Sequence, residues 1–239
     1  MLRRRWFATM VGVCLVTSTP AACASAADLV ESAAPSEPST APSASTTTRP
    51  LHVTAERGIL VTAFDLDENA PNTEDPPVPV VMHTDYQCPP CATVESTTGD
   101  YLDEQLKSGK VTIEFRTLAF LDSRGSDDYS SRAANAAMCV VGEEGVEAFY
   151  AFHRALLREQ PDEEGPGLSD DELAELASEA GASDVEDCIQ MRRRADEVRE
   201  NTEHIMGVGG INSVPWMLVE DRGIQPATLE ALAKALTAA

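Results

Sequence analysis

Four residues constrain this chain more than any others. Cys88-Pro89-Pro90-Cys91 stands where a β-branched run ends and a helical pattern begins. Residues 78–84, Val-Pro-Val-Val-Met-His-Thr, predict a strand, and residues 88–106 predict a helix that Gly109 closes. A thiol at the start of a helix meets unpaired backbone N–H groups and the positive end of the dipole, and both favour the thiolate. A spacing of three puts Cys91 one turn on, within reach of a small, reducible disulfide. Cys88 is therefore expected to be the exposed attacking sulfur and Cys91 the shielded resolving one, with Pro89 and Pro90 as the active-site loop. Two other readings use the same residues. A structural zinc site needs two more ligands at matched spacing, yet Cys139 and Cys188 stand alone and His153 and His204 belong to no such motif. An inert Cys-x-x-Cys loop is the third.

The surrounding pattern is α/β. Residues 58–64 predict a strand, residues 65–77 a polar loop, and residues 111–117 a strand alternating apolar and polar side chains. Helical patterns then follow at 130–140, 146–158, 170–180 and 191–206. Ser169 with Glu172, and Ser183 with Glu186, predict capping boxes. Residues 214–219 return to strand, residues 223–225 offer a poor final strand, and Leu229, Leu232 and Leu236 mark the apolar face of a last helix. A β-α-β start, a block of helices and a β-α finish define a sheet with a helical insertion.

The N-terminal residues do not belong to that domain. Arg3, Arg4 and Arg5 precede an uncharged, mostly apolar run of 11 residues from Trp6, followed by Ala21, Ala22 and Ala24. This predicts an export signal over residues 1–23. Eleven helical residues rise only about 16 Å, roughly half the hydrocarbon core of a membrane. Cys14 falls inside the run and reads as a signal residue. Cys23, after Pro20-Ala21-Ala22, resembles the lipobox of bacterial lipoproteins, where the Cys is lipidated; Pro20 departs from the usual Leu, and ordinary cleavage after Ala24 or Ala26 is the alternative. In residues 24–50, 21 of 27 are Ala, Ser, Thr or Pro. That composition buries too little surface to offset its ordering entropy, so a disordered linker is expected. Residues 51–239 form the folded domain.

Charge excludes one class of partner. Eighteen Lys and Arg against 40 Asp and Glu leave a net charge of −22, which repels phosphate backbones, so nucleic acid is not expected as a partner. The stretch from Asp162 to Asp187 holds 11 carboxylates and no Lys or Arg, and reads as a solvated helical face.

Asp85-Tyr86-Gln87-Cys88-Pro89-Pro90-Cys91 resembles the active-site segment of DsbA-like proteins, the thioredoxin-fold oxidoreductases of bacterial envelopes. Gly209-Gly210-Ile211-Asn212-Ser213-Val214-Pro215 is similar to that family's approach to a cis-proline. The resemblance covers residues 51 to 236 and implies a thioredoxin-like fold with a helical insertion over about 127–208. In such folds the proline packs beside the redox pair, and the Val214 backbone pairs with an extended substrate near Cys88; an ordinary trans Pro215 at a strand start is the alternative. Cys88 and Pro215 are 127 residues apart, against about forty in plain thioredoxins, and the inserted helices fill the excess.

By the same resemblance, the Cys88–Cys91 pair introduces disulfides into reduced or unfolded exported proteins. A membrane partner of the DsbB or vitamin-K-epoxide-reductase type would re-oxidise it, and neither metal nor diffusible cofactor is needed. The expected location is the cell envelope, with membrane attachment only through the N-terminus. Two rival readings are a reductase or isomerase running the opposite way, and an anchored module that binds polypeptide without catalysis.

This chain departs from the family at two places. Pro90 occupies a position that is often His, which removes an N–H and an imidazole from the neighbourhood of Cys88 and implies a weaker oxidant. Met82 occupies a position where some relatives bury a carboxylate, leaving Asp85 and Glu114 as candidate proton acceptors for Cys91. Cys139 and Cys188, both in the helical block, are expected to form a structural disulfide in an exported chain, as in some actinobacterial relatives; two buried thiols are the alternative.

Overall fold

A computed structural model describes residues 53–122, 126–225 and 227–239. The expected signal peptide (1–23), the linker (24–50), Cys14 and Cys23 lie outside the described residues. In chain order the elements are β1 (Ile59–Val61), α1 (Ala63–Leu66), β2 (Val78–Thr84), α2 (Pro89–Lys107), β3 (Val111–Thr117), α3 (Tyr129–Glu143), α4 (Val146–Arg158), α5 (Asp170–Glu179), α6 (Glu186–Gln190), α7 (Ala195–Gly207), β4 (Trp216–Val219), β5 (Arg222–Ile224) and α8 (Leu229–Thr237).

The strands form one sheet in the order β1-β3-β2-β4-β5. Strands β2 and β3 are parallel, as their connection through α2 requires, and the other pairs are antiparallel. The register sets Val80 beside Ile113 and Val219, and Met82 beside Phe115 and Met217. All six side chains are buried. Central β2 is covered on both faces, so Val80 to Thr84 are all buried; this is why it reads as a continuous apolar run and not as an alternation.

Helices α3 to α7 are inserted between β3 and β4. Their centre is α3, whose Ala133, Ala134, Ala136 and Ala137 are all buried, small enough for α4, α5, α6 and α7 to pack around it. Phe149, Phe152 and Leu156 of α4 are fully buried as well, each contributing about 1.5–3 kcal/mol of burial. A disulfide of 2.05 Å between Cys139 and Cys188 ties α3 to α6.

Three local expectations are corrected. Phe64 is not in a strand: β1 stops at Val61, and Thr62 opens α1 through a capping box with Asp65. Ser183 and Glu186 form no capping box, since the residue at the start of α6 is Val185 with no side-chain cap, whereas Ser169 and Glu172 form theirs. The helix expected over 191–206 is broken before α7, with Arg192 in the left-handed region at φ 49°. Asn135 of α3 explains the break. Its Oδ1 accepts from the Arg194 N–H at 2.9 Å and its Nδ2 donates to the Ile189 carbonyl at 3.4 Å, satisfying groups a helix end leaves open.

Candidate active site

The Cys88–Cys91 pair is positioned by the end of β2 and the start of α2. Cys88 is the N-cap residue with extended backbone, and Pro89 begins the helix, where its missing N–H costs nothing and its fixed φ suits the first turn. The Cys91 N–H donates to the Cys88 carbonyl at 2.9 Å. Both cysteines are free thiols.

The two thiols are unequal. Cys88 lies below the usual thiol range, chiefly because the Cys91 thiol hydrogen-bonds its sulfur, with the Cys91 backbone acting in the same direction against burial. Cys91 is driven up, first by that same bond, which holds its proton, and then by burial. The largest cause of the Cys88 acidity is thus its partner cysteine, and the backbone of Cys91 in the first turn of α2 adds to it, in the direction the sequence reading assigned to the helix start.

Cys88 is not exposed, which corrects the expectation of an exposed attacking sulfur. Only 4% of Cys88 and 2% of Cys91 is accessible. Two segments distant in sequence stand against the turn. From one side the Cys88 thiol faces the Val214 carbonyl at 3.6 Å, next to a cis Val214–Pro215 bond. From the other, the residues after α4 engage the turn: Gln160 Nε2 donates to the Tyr86 and Cys88 carbonyls at 2.7 and 3.0 Å, and Gln87 Nε2 donates to the Glu163 carbonyl at 2.8 Å. Pro89 and Pro90 remain exposed. They border an open, mostly apolar groove of about 810 Å³ that continues past Pro215 to Ala227 and Leu229 at the start of α8.

Of the two candidate proton acceptors, the structure brings only Asp85 to the site. Its buried carboxylate accepts from Gln87 N–H (2.9 Å), Phe120 N–H (3.1 Å), Leu121 N–H (3.2 Å) and the Ser130 hydroxyl (2.6 Å). Burial raises Asp85 above the usual carboxylate range, and the four donors pull the other way. The carboxylate of Glu114 is instead held by the Thr54 hydroxyl at 2.6 Å and by Arg116 at 2.9 Å, on the β1 side of the sheet.

Sequence reasoning missed the groups that join the insertion to this turn. Tyr86 Oη lies 2.8 Å from Nδ1 of His153 on α4, both side chains being buried. One turn past Cys91, the buried Glu95 carboxylate pairs with Arg154 at 2.7 Å. Gln87, Gln160, His153 and Glu95 carry no local signal, because polar residues in these patterns are usually solvent-facing. Among the described residues no group of three or more His, Cys, Asp or Glu is arranged to hold a metal.

A thioredoxin-type sheet, a dithiol opening a helix and a cis-proline turn beside it define a class, the thioredoxin-fold thiol–disulfide oxidoreductases. Residues 73–238 match the thioredoxin family model, and the chain belongs to that family, in its DsbA-like branch. It is 31% identical to the disulfide bond oxidoreductase DsbG of Mycobacterium tuberculosis in its reduced form, at a TM-score of 0.64, covering 76% of this chain and 86% of that one. To reduced DsbA from the same organism it is 30% identical, again with a TM-score of 0.64, over 76% of this chain and 91% of that one. It is also 30% identical over 110 residues to the Mycobacterium tuberculosis serine/threonine-protein kinase PknE, which covers 44% of this chain but 19% of the kinase. The chain therefore spans about a fifth of the length of that curated relative.

Proposed function

We propose that this protein is an extracytoplasmic oxidase that introduces disulfides into exported proteins through Cys88 and Cys91. In the oxidised enzyme a substrate thiolate attacks the Cys88 sulfur of the Cys88–Cys91 bond. A mixed disulfide forms and Cys91 leaves, taking up a proton. The substrate's second thiolate then attacks its own sulfur in that mixed disulfide and expels Cys88. Two electrons pass from the substrate dithiol to the enzyme, the substrate keeps the disulfide, and the enzyme is left as the dithiol. The observation that carries this reading is the asymmetry of the pair, in which the Cys91 thiol hydrogen-bonds the Cys88 sulfur, lowering the pKa of Cys88 and raising that of Cys91. A stabilised Cys88 is the better leaving group in the second step, and it favours the reduced enzyme, the property of an oxidant.

The apolar groove beside Pro89, Pro90 and Pro215 supports an unfolded polypeptide as the substrate, held in part by the Val214 backbone. Re-oxidation falls to a membrane partner of the DsbB or vitamin-K-epoxide-reductase type. Residues 1–23 support export, with Cys23 as the residue that lipidation would use. No helix among the described residues is long and apolar enough to cross a membrane.

The reduction potential of the Cys88–Cys91 couple tests the direction. A value well above about −200 mV supports the oxidase, and one near about −270 mV, the thioredoxin end of the scale, assigns a reductase instead. The likeness to DsbG makes that second outcome a real contest. Full biological activity in Cys88→Ser would show a binding module without catalysis.

A further inference from the structure

Burial of Cys88 leaves the proposed reaction with a problem of access, and the contacts around it locate the moving part. The segment between α4 and α5 has no regular secondary structure from Gln160 to Leu168, and its two ends are held differently. At the α5 end Arg132, itself 4% exposed, donates to the Pro166 carbonyl at 2.7 Å, to the Leu168 carbonyl and to Asp170 at 3.1 Å. Gly167 there takes φ 72° and lies where any Cβ would overlap the Tyr129 ring. That end is a fixed anchor. At the Cys88 end the attachment is two side-chain amides exchanged between the segment and the redox turn, one from Gln160 and one from Gln87.

The geometry points to residues 160–163 as a strap over the redox turn, closed by the reciprocal Gln160–Gln87 latch and opened to admit the substrate thiol. Gln160 and Gln87 are thereby positioning residues for the reaction proposed above, on which this inference rests. Three features support release at this end and not at the Arg132 end. The latch consists of neutral amide-to-carbonyl bonds, weaker than the charge-assisted bonds of Arg132. Gln87 Oε1 is buried with no partner in the closed form, so opening lets water reach it and offsets part of what the broken bonds cost. The Gly165 N–H donates to the Asp162 carbonyl at 3.0 Å, so a local turn joins the strap to its anchored end.

Alkylation of Cys88 in the reduced full-length protein tests this, read by mass spectrometry of the Cys88 peptide and compared at equal thiolate fraction, from a pH titration of each variant. Gln160→Ala is expected to raise the rate about tenfold, the loss of two hydrogen bonds of modest net strength, and to raise it more for a bulky maleimide than for iodoacetamide. Gln160→Glu keeps the shape but cannot donate, so it should behave like Gln160→Ala; a rate like that of the natural protein would show packing alone and overturn the latch. Gln87→Ala opens the same contact from the other side and serves if a Gln160 variant does not fold. Equal rates in all variants, or gains that vanish once thiolate fraction is matched, would also overturn the strap. These rates need no redox cycling, so a redox-silent Cys88–Cys91 pair would end the oxidase reading while leaving the strap decided on its own data.

Discussion

The Cys88 sulfur lies 3.6 Å from the carbonyl oxygen of Val214, across 126 residues of chain. Strand pairing produces this contact. Trp216 is in register with His83 at the end of β2, and His83 Nδ1 lies 3.2 Å from the Trp216 carbonyl. Residues just before β4 therefore arrive beside residues just after β2, which are the cysteines. A slip of one residue would turn every β4 side chain to the opposite face, so the buried Met217 and Val219 hold the proline turn at the redox pair.

The charge of Asp85 opposes ionisation of both Cys88 and Cys91. Asp85→Asn is thus expected to lower the Cys88 pKa further and to make the couple more oxidising. The thiolate absorbance near 240 nm, followed against pH, gives the midpoint, and an unmoved or raised midpoint would refute the field of Asp85 as a cause. The variant should also lose about 1–3 kcal/mol of stability, because an amide N–H replaces one acceptor among four donors.

Pro90 supplies no N–H, and Pro90→His restores one together with an imidazole beside the Cys88 sulfur. The expected result is a lower Cys88 pKa and a potential raised by roughly 30 mV or more, about a tenfold change in equilibrium. Equilibration with glutathione buffers measures it. A potential that falls would show that the rigidity of the proline pair, and not the missing donor, governs the couple.

Cys139 and Cys188 close a loop of 49 residues inside the insertion. Replacing both with Ala should cost about 2–4 kcal/mol in urea unfolding while leaving the Cys88–Cys91 potential unchanged. A shifted potential would mean that the insertion transmits its packing to the redox turn.

Two buried histidines set a pH dependence of stability. Burial lowers His153 to about 3 and His83 to about 4, against 6.5 in the unfolded chain. Between those values the unfolded chain binds more protons than the folded one, so stability present above pH 6.5 is lost as pH falls toward 3. Asp85 and Glu95, both raised by burial, contribute with the opposite sign as they protonate. The comparison is therefore between slopes: His153→Phe should show a shallower loss of stability between pH 6.5 and 4 than the natural protein. Parallel slopes would mean that His153 is protonated with little penalty in the folded state.

The order of the strands and of the six longer helices, and the family, were legible in the sequence because each rests on local pattern, whereas the short α1 and α6 were not. Residues 78–84 and 111–117 coincide with β2 and β3, since β-branched runs bounded by polar residues fold as strands wherever a sheet covers them. Cys-x-x-Cys between a strand and a helix carries its own chemistry. What tertiary structure alone decided lies where distant segments meet: Asn135 bonding both sides of a helix break 54 and 59 residues away, Asp85 and not Glu114 standing at the thiols, and Cys88 lying buried, its sulfur facing the Val214 carbonyl and its own carbonyl bonded by Gln160, when its place in the chain pointed to solvent. A side chain's burial and partners depend on which surfaces fold against it, and neighbours in sequence hold no record of that.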